Sequence, residues 1–447
     1  MRVAIIGAGI SGLATAFYLQ RARSDAEIVI YEANPHVGGT LHTIDIEGFR
    51  FEEGGNGFLS NKPDMLQLVT DCGAGDVLMR SQDASRRRFI YTDRMHPMPD
   101  SPGKFLKTEL LNWPQKLRVM GELFIRPKRD DSDETLQSFG YRRLGKAFTD
   151  IFLDAMTAGI YGTTADRVSV KAAFPLVTEL ERKHGGLFKG MIARRKQSAG
   201  PGGVLMSFKG GMNALTEHLH KTIKAEWHLD TPVEAVVQEG KGFRVEAGDQ
   251  SATVDQVILA VPAHAAARIL AGLDQELERQ LDAVNYAPIA VVGFGWKHLD
   301  HPLDGFGVLT TAAARMPFLG ILWDSSIFPD RAPEGMKCVR VMLGGQRDPH
   351  MVDLDDDALI AHARDGVSKA LGIDVSPDVQ FVKKWPRGLP GYPVGHIEAM
   401  DRLMAHVGRY PGLHLTGNAY RGIAMNDCAR NGRLTGEAAA LLGEKKF

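Results

Sequence analysis

The chain divides by its pattern of apolar and polar positions. It opens on a short apolar run, VAIIG over 3–7, then a glycine-rich turn, then LATAFYLQRA over 13–22, which has the composition of a helix. A second apolar strand, EIVIYEA, follows over 27–33. From about 95 to 200 the residues are helix formers and charges. Within that region 106–125 mixes apolar residues with Lys107, Lys116 and Arg118. This mixture suits a helix lying on a membrane surface, and equally a solvated helix packed on its own domain. RRKQSAGPGG over 194–203 reads as an exposed connector. Beyond it, SFKGGMNALTEHL leads to TPVEAVVQEGKGFRVEAGDQSATVDQVILAVP over 231–262, which predicts hairpin strands and one buried strand. A strand-rich region is expected from 263 to about 384. LHLTGNAYRGIAMNDCARNGRLTGEAAALL over 413–442 then predicts a strand, a glycine turn and a helix.

The first turn carries chemistry. Gly7, Gly9 and Gly12 have GxGxxG spacing between a strand and a helix, and Glu32 ends the next strand twenty residues later. Each part of this dinucleotide-binding unit has a mechanical task. Gly7 permits the tight turn and Gly9 lets backbone approach a pyrophosphate. Gly12 lets helix and strand pack closely, and Glu32 accepts hydrogen bonds from a ribose. Ser11 falls in the same loop and counts among the cofactor-binding candidates. A signal peptide would also show a basic start and an apolar middle. The fingerprint begins at residue 3, so no removable leader is expected.

Composition narrows the classes. The 447 residues hold 53 Lys+Arg against 54 Asp+Glu. Such a balance argues against a nucleic-acid partner, and the length exceeds one compact core. Cys72, Cys338 and Cys428 are far apart without a CxxC, so neither a disulfide framework nor a metal site is suggested. No apolar run reaches the roughly 18 residues a membrane span needs.

After Glu32 come Gly38, Gly39 and Thr40 in NPHVGGTLHT, then Gly54, Gly55, Asn56 and Gly57 in GFRFEEGGNGF. A second glycine turn just after the acidic residue resembles the family of FAD-dependent amine oxidases, phytoene desaturases and protoporphyrinogen oxidases. The usual pattern has Arg two residues before the Gly pair, where this chain has His36. GNAYRGIAMNDCARNG, over 417–432, resembles the GxxYxGxxxxDC signature of the oxygen-dependent protoporphyrinogen oxidase family, with Gly417, Tyr420, Gly422, Asp427 and Cys428 in place. HPMP, ERKHGGLFKG, SFKGGM, DGFGVL, LGILWDSSIFP and LPGYPVGH agree in order; Gly391 departs from the family's usual Gln.

The resemblance implies an α/β fold with three parts. A discontinuous Rossmann-like FAD-binding domain would take 1–80, 204–265 and 385–447. A mixed-sheet substrate-binding domain would take 81–94 and 266–384. A helical, membrane-associated domain would take 95–203. FAD is expected to be bound non-covalently. Beyond the glycine turns, its contacts are expected at Val233 near the adenine and at Trp385, Gly417, Tyr420, Gly422, Ile423 and Met425.

SRRRFIYTDRMHPMP, over 85–99, sets three arginines against an apolar triplet. In the family an Arg before Phe-apolar-Tyr pairs with a propionate of the tetrapyrrole, and Arg88 is the matching residue. A guanidinium presents a planar pair of donors to a carboxylate. Arg86 and Arg87 are expected to stay solvated. The resemblance places Phe306, Leu309, Leu322, Met342 and Leu389 along the macrocycle, each otherwise an ordinary core residue. Gly159 would let backbone approach a pyrrole N–H.

The implied reaction is a six-electron oxidation of protoporphyrinogen IX to protoporphyrin IX in three two-electron rounds, with dioxygen reduced to hydrogen peroxide. No catalytic side chain is singled out, since the protein's task is binding, orientation and exclusion of water. Oxidation of coproporphyrinogen III on the same fold is the neighbouring reading, and that substrate's four carboxylates should need more basic contacts. Another flavin amine oxidase-like oxidoreductase is a further alternative, and a flavin-fold binder or scaffold without turnover belongs to a different class. The expected partners are the tetrapyrrole, dioxygen, a membrane surface and a second copy of the chain. The expected location is the cytoplasm, peripheral on the inner face of the cell membrane.

Overall fold

Five parallel strands form the first sheet, drawn from three distant parts of the chain. In the computed structural model, which describes residues 1–197 and 203–442, they lie in the order Glu226–His228, Glu27–Tyr31, Arg2–Ile6, Gln256–Leu259 and Leu413–Leu415. Val3 to Ile6 and Val257 to Leu259 are buried, as apolar runs in a parallel sheet covered on both faces must be. Helix Ile10–Ala22 is buried all along Ile10 to Leu19, because the sheet lies on one side and helix Met425–Leu442 on the other. Gly432 and Gly436 make that close crossing possible. A Cβ on Gly432 would come within 2.8 Å of Ala14 Cβ, and one on Gly436 within 2.5 Å of the Thr15 carbonyl oxygen. Three antiparallel strands, Ala235–Glu239, Gly242–Ala247 and Gln250–Val254, fulfil the hairpin expectation.

A seven-stranded mixed sheet forms the second body. Its order is Val379–Pro390, Tyr286–Trp296, Lys337–Gly344, Gly320–Leu322, Gly307–Thr310, Arg88–Tyr91 and Met95–Pro97. Only Arg88–Tyr91 and Gly307–Thr310 run parallel within it. The strand-rich expectation for 263 to 384 therefore holds in its main part. The region also contains helices Ala263–Leu270, Gln275–Asp282 and Asp356–Leu371. The last of these is the sheet's cover: Leu359, Ala363 and Val367 pack on Val292, Phe294, Ile321 and Val341. Arg340 ties the two bodies together. It is buried, pairs with Asp324 at 2.5 Å, and donates to the backbone oxygens of Glu52 (2.6 Å) and Gly54 (3.0 Å).

Residues 102 to 197 form short helices around a core of their own that includes Leu110, Leu111, Val119, Phe139 and Phe152. Helix Trp113–Met120 starts in a capping box, Asn112 and Gln115 each accepting the other's backbone N–H. The fully buried Arg143 pairs with the fully buried Glu122, which also accepts from the Leu187 N–H at 2.7 Å. Removing one partner of such a pair costs about 3–5 kcal/mol, because the other charge stays buried. The connector expected at 194–203 begins as the last turn of helix Leu187–Gln197; residues 198–202 lie outside the described residues. Among the described residues no helix is long and apolar enough to cross a membrane.

Candidate functional site: a dinucleotide cradle beside an apolar sheet face

The first glycine loop has the geometry its spacing predicts. Gly7 sits at φ +103°, and a Cβ there would lie 2.8 Å from the Ala260 carbonyl oxygen. Gly12 has even less room, its would-be Cβ falling 1.9 Å from the Gly7 oxygen. Gly9 differs: its Cβ would meet nothing closer than 4.0 Å, so that side of the loop faces open space at the start of a helix. Ser11 is buried in the first turn of that helix. The second glycine turn lies against the first. The Gly38 N–H donates to Ala8 O at 2.9 Å, and a Cβ on Gly39 would lie 3.3 Å from Gly9 Cα. Glu32 is buried and oriented by the loop, accepting from the Ala8 N–H at 2.8 Å and from Asn34 Nδ2 at 2.6 Å. A carboxylate has further lone pairs for ribose hydroxyls.

The third turn closes the cradle. A Cβ on Gly54 would sit 2.5 Å from Thr40 O, and one on Gly57 2.4 Å from Met206 O, so both glycines are required by close backbone approach. Gly55 instead faces the side chains of Leu41 and Met425, the latter 3.5 Å from its would-be Cβ. Gly417 and Gly422 take left-handed conformations at φ +137° and +88°. Ile423 packs near Tyr161 and Tyr392, and Val233 is half-buried on the cluster that holds Tyr31 and Tyr420. Asn56 Nδ2, Thr416 Oγ1 and Tyr420 Oη are buried without a hydrogen-bond partner among the described residues. Native interiors rarely leave such groups unpaired, and burial pushes the Tyr420 hydroxyl pKa far up. An open helix N-terminus, a ribose-ready carboxylate and these unpaired polar atoms fit an elongated, polar flavin dinucleotide. The loop 7–12, Glu32, 38–40 and 55–57 could hold it.

Of the predicted substrate residues, Arg88, Leu309, Leu322 and Met342 share one face of the seven-stranded sheet. Arg88, Gly307 and Leu322 stand opposite one another across neighbouring strands, and Leu309, Gly320 and Met342 form the next row. Trp385 and Leu389 join Met342, Ile289 and Ala158 in one apolar cluster. Whereas the opposite face is buried, Phe306, Leu309, Leu322, Met342, Trp385 and Leu389 are half-buried. Helix Asp154–Tyr161 lies over this face through Gly159, whose would-be Cβ falls 2.7 Å from Leu309 Cδ2. Gly159 thus sets helix–sheet spacing, the property close ligand approach would also demand. Trp385 Nε1 donates to the Glu53 carbonyl oxygen at 2.8 Å, joining this face to the third glycine turn.

Arg88 stands over the Phe306 ring at 5.0 Å and has no ion pair among the described residues. Surrounding atoms lower its pKa by desolvation, and an arginine stays charged nonetheless. The two other arginines divide. Arg87 is exposed and paired with Asp304, as a solvated residue would be. Arg86 is exposed too, but it lines a cavity of about 240 Å³ together with Arg88 and Phe306, which its sequence context did not announce.

Sequence reasoning also missed an ion cluster at the seam. The buried Glu53 pairs with Lys383 at 2.8 Å and with His42 at 3.4 Å, and Lys383 lies over the Trp385 ring at 4.7 Å. His36, standing where the family has Arg, stacks on His42 at 3.9 Å. Burial, with the His36 ring beside it, lowers the His42 pKa. One signal was present: Lys383 precedes Trp385 by two on a strand and so shares its face. Its partner Glu53 lies 330 residues away and gave none.

Comparison with known proteins agrees with this geometry. The chain is 29% identical to a coproporphyrinogen III oxidase of Bacillus subtilis, covering 96% of both chains. It is 28% identical to protoporphyrinogen oxidase 1, chloroplastic, of Spinacia oleracea, over 95% of this chain and 81% of that one. The crystal structure of a candidate protoporphyrinogen oxidase from Exiguobacterium superposes with a TM-score of 0.88 at 26% identity, covering 98% of each chain. Residues 10–440 match the family described as flavin containing amine oxidoreductase, and the chain is a member of that family, an FAD-dependent oxidoreductase.

Proposed function

We propose that this protein oxidises protoporphyrinogen IX to protoporphyrin IX in haem or other tetrapyrrole biosynthesis. The observation that carries the reading is the half-buried apolar sheet face between the glycine cradle and Arg88. A large hydrophobic ring with acidic substituents matches a flat apolar wall with an ion-pair-free arginine at its edge. Bound FAD supplies a two-electron acceptor, so one porphyrinogen and three dioxygen molecules become one porphyrin and three hydrogen peroxide molecules. Leu309, Met342 and Leu389 exclude water and fix the ring plane, Gly159 keeps the helix close against Leu309 at the pocket wall, and Arg88 holds one propionate. The pyrrole N–H protons pass to water at the pocket mouth.

Coproporphyrinogen III is the second reading, because relatives of similar identity carry both names. Anaerobic addition of each porphyrinogen to the FAD-loaded protein tests both. Bleaching of the flavin with protoporphyrinogen, and porphyrin fluorescence once dioxygen is admitted to support the remaining two-electron rounds, are expected. Bleaching with coproporphyrinogen alone would replace the first reading by the second, and bleaching with neither would overturn both.

The helical region is assigned to a membrane surface on the inner face of the cell membrane, with the remainder of the protein in the cytoplasm. Trp113 and Leu117, one turn apart, are 60% and 61% exposed, and Phe124 nearby is 86% exposed. Large apolar side chains so exposed in one stretch suit an interfacial element. Of the three basic residues in the sequence pattern Lys107 is exposed as expected, and the other two need correction. Lys116 is turned inward to the Leu106 carbonyl oxygen at 2.9 Å, and Arg118 donates to the carbonyl oxygens of 141, 142 and 143, capping a helix C-terminus. Exposed Arg126 and Arg129 follow Phe124 and take over the cationic role. A homodimer is part of the same proposal, and sedimentation with and without lipid reports on it.

A further inference from the structure

We propose that Arg86 and Arg88 act as a two-point clamp for a pair of carboxylates on one edge of the substrate ring. The inference rests on the porphyrinogen reading above and assigns a role to Arg86, which its position two residues before Arg88 does not by itself suggest. Both side chains line the same cavity of about 240 Å³, with Leu59, Leu205 and Phe306 as apolar wall and Asp83 as the one acidic group among the described residues. The charges around it are unbalanced. Asp83 is shared between Arg80 and Arg86, each at 3.4 Å, and it is 80% exposed. Such a pair in open solvent is weak and easily exchanged for another carboxylate. Arg88 has no ion pair among the described residues, and Arg87 is removed from the account by Asp304. Two guanidiniums lining one cavity, apolar on the side of Leu59, Leu205 and Phe306 and polar on the side of Ser81 and Gln82, therefore have less negative charge than they can bind. A ring with two carboxylates on neighbouring substituents supplies the missing pair, and its apolar body meets the wall at Phe306 and the sheet face beyond.

The test uses the FAD-loaded full chain and two redox-inert porphyrins, protoporphyrin IX and its dimethyl ester, with binding followed by porphyrin fluorescence. Wild-type protein should bind the diacid more tightly than the diester. Arg86→Gln and Arg88→Gln should each weaken the diacid by about tenfold, the scale of one charge-assisted hydrogen bond lost at a wet rim. Both should leave the diester unchanged, and the double variant should bind diacid and diester alike. Arg86→Lys should recover part of the loss, since a point charge replaces a planar fork. Arg86→Gln binding the diacid like wild type, while Arg88→Gln weakens it, would reduce the clamp to one point and overturn the proposal. An equal loss of the diester would make Arg86 a structural residue and overturn it too. Wild-type protein that binds neither porphyrin would reject the porphyrinogen reading itself, an outcome distinct from an indifferent Arg86. Arg86 is exposed, so its variants should keep the wild-type flavin spectrum and melting temperature.

Discussion

Gly9 and Gly12 belong to one motif and should fail in opposite ways. Gly9 has φ −70° and ψ 175°, which any residue adopts, and its would-be Cβ has no protein neighbour nearer than 4.0 Å. Two small effects on the apo-protein then oppose each other for Gly9→Ala. A less flexible unfolded chain favours the variant by about 0.4–1 kcal/mol. A poorer helix cap disfavours it by about 0.5–1 kcal/mol. The net change should stay within about 1 kcal/mol. FAD binding should respond differently, because the added side chain projects toward the phosphate side of the helix start. With Gly9→Leu, losing about two charge-assisted hydrogen bonds at about 1.5–3 kcal/mol each weakens FAD by roughly 10²- to 10⁴-fold. Gly12→Ala is the contrast. Its Cβ would overlap the Gly7 oxygen at 1.9 Å, so helix and strand must separate and the fold itself should suffer. Thermal melts of stripped protein and FAD titration by flavin fluorescence separate the two. Wild-type FAD affinity in Gly9→Leu, or a collapsed melting temperature in apo Gly9→Ala, would refute the reasoning.

Arg88→Ala should raise KM for the porphyrinogen by about ten- to a hundredfold with little change in kcat, because a clamp at the rim holds ground and transition states alike; steady-state kinetics with an unchanged flavin spectrum checks it. His414 is half-buried, and desolvation by its surroundings holds it down to a pKa of about 4. Between the ordinary His value and that one, the unfolded chain binds the extra proton, so stability rises with pH there and falls as pH drops from about 6.5 to 4. The loss reaches about 3 kcal/mol, and His414→Gln should flatten that part of a melting-temperature profile. Leu117→Glu combined with Phe124→Glu should release the protein from anionic liposomes while leaving turnover of detergent-dispersed substrate intact; full retention on the vesicles would remove this face from the docking surface.

Local pattern determined a good deal by itself. The first strand, turn and helix, the hairpins at 235–254 and the closing strand-turn-helix were legible because each is made by near neighbours whose periodicity and glycines leave few alternatives. Gly7 and Gly12 carried their geometry in their spacing. Arg88 and the apolar residues at 306, 309, 322, 342 and 389 were placed by resemblance, and strand pairing alone decided that most of them share a face. The rest depended on partners far away along the chain. Nothing near Gly432 and Gly436 says that they touch Ala14 and Thr15. Glu53 finds Lys383 only because Arg340 holds the mixed sheet against the third glycine turn. Lys116 and Arg118, which read as a cationic face, were drawn inward by unpaired carbonyl oxygens of neighbouring elements. Arg86 and Arg87 are adjacent and chemically identical, yet Asp304 neutralises one while the other lines the cavity. A charged side chain takes its role from the field and the acceptors around it, and those are assembled only when the chain closes its long-range contacts.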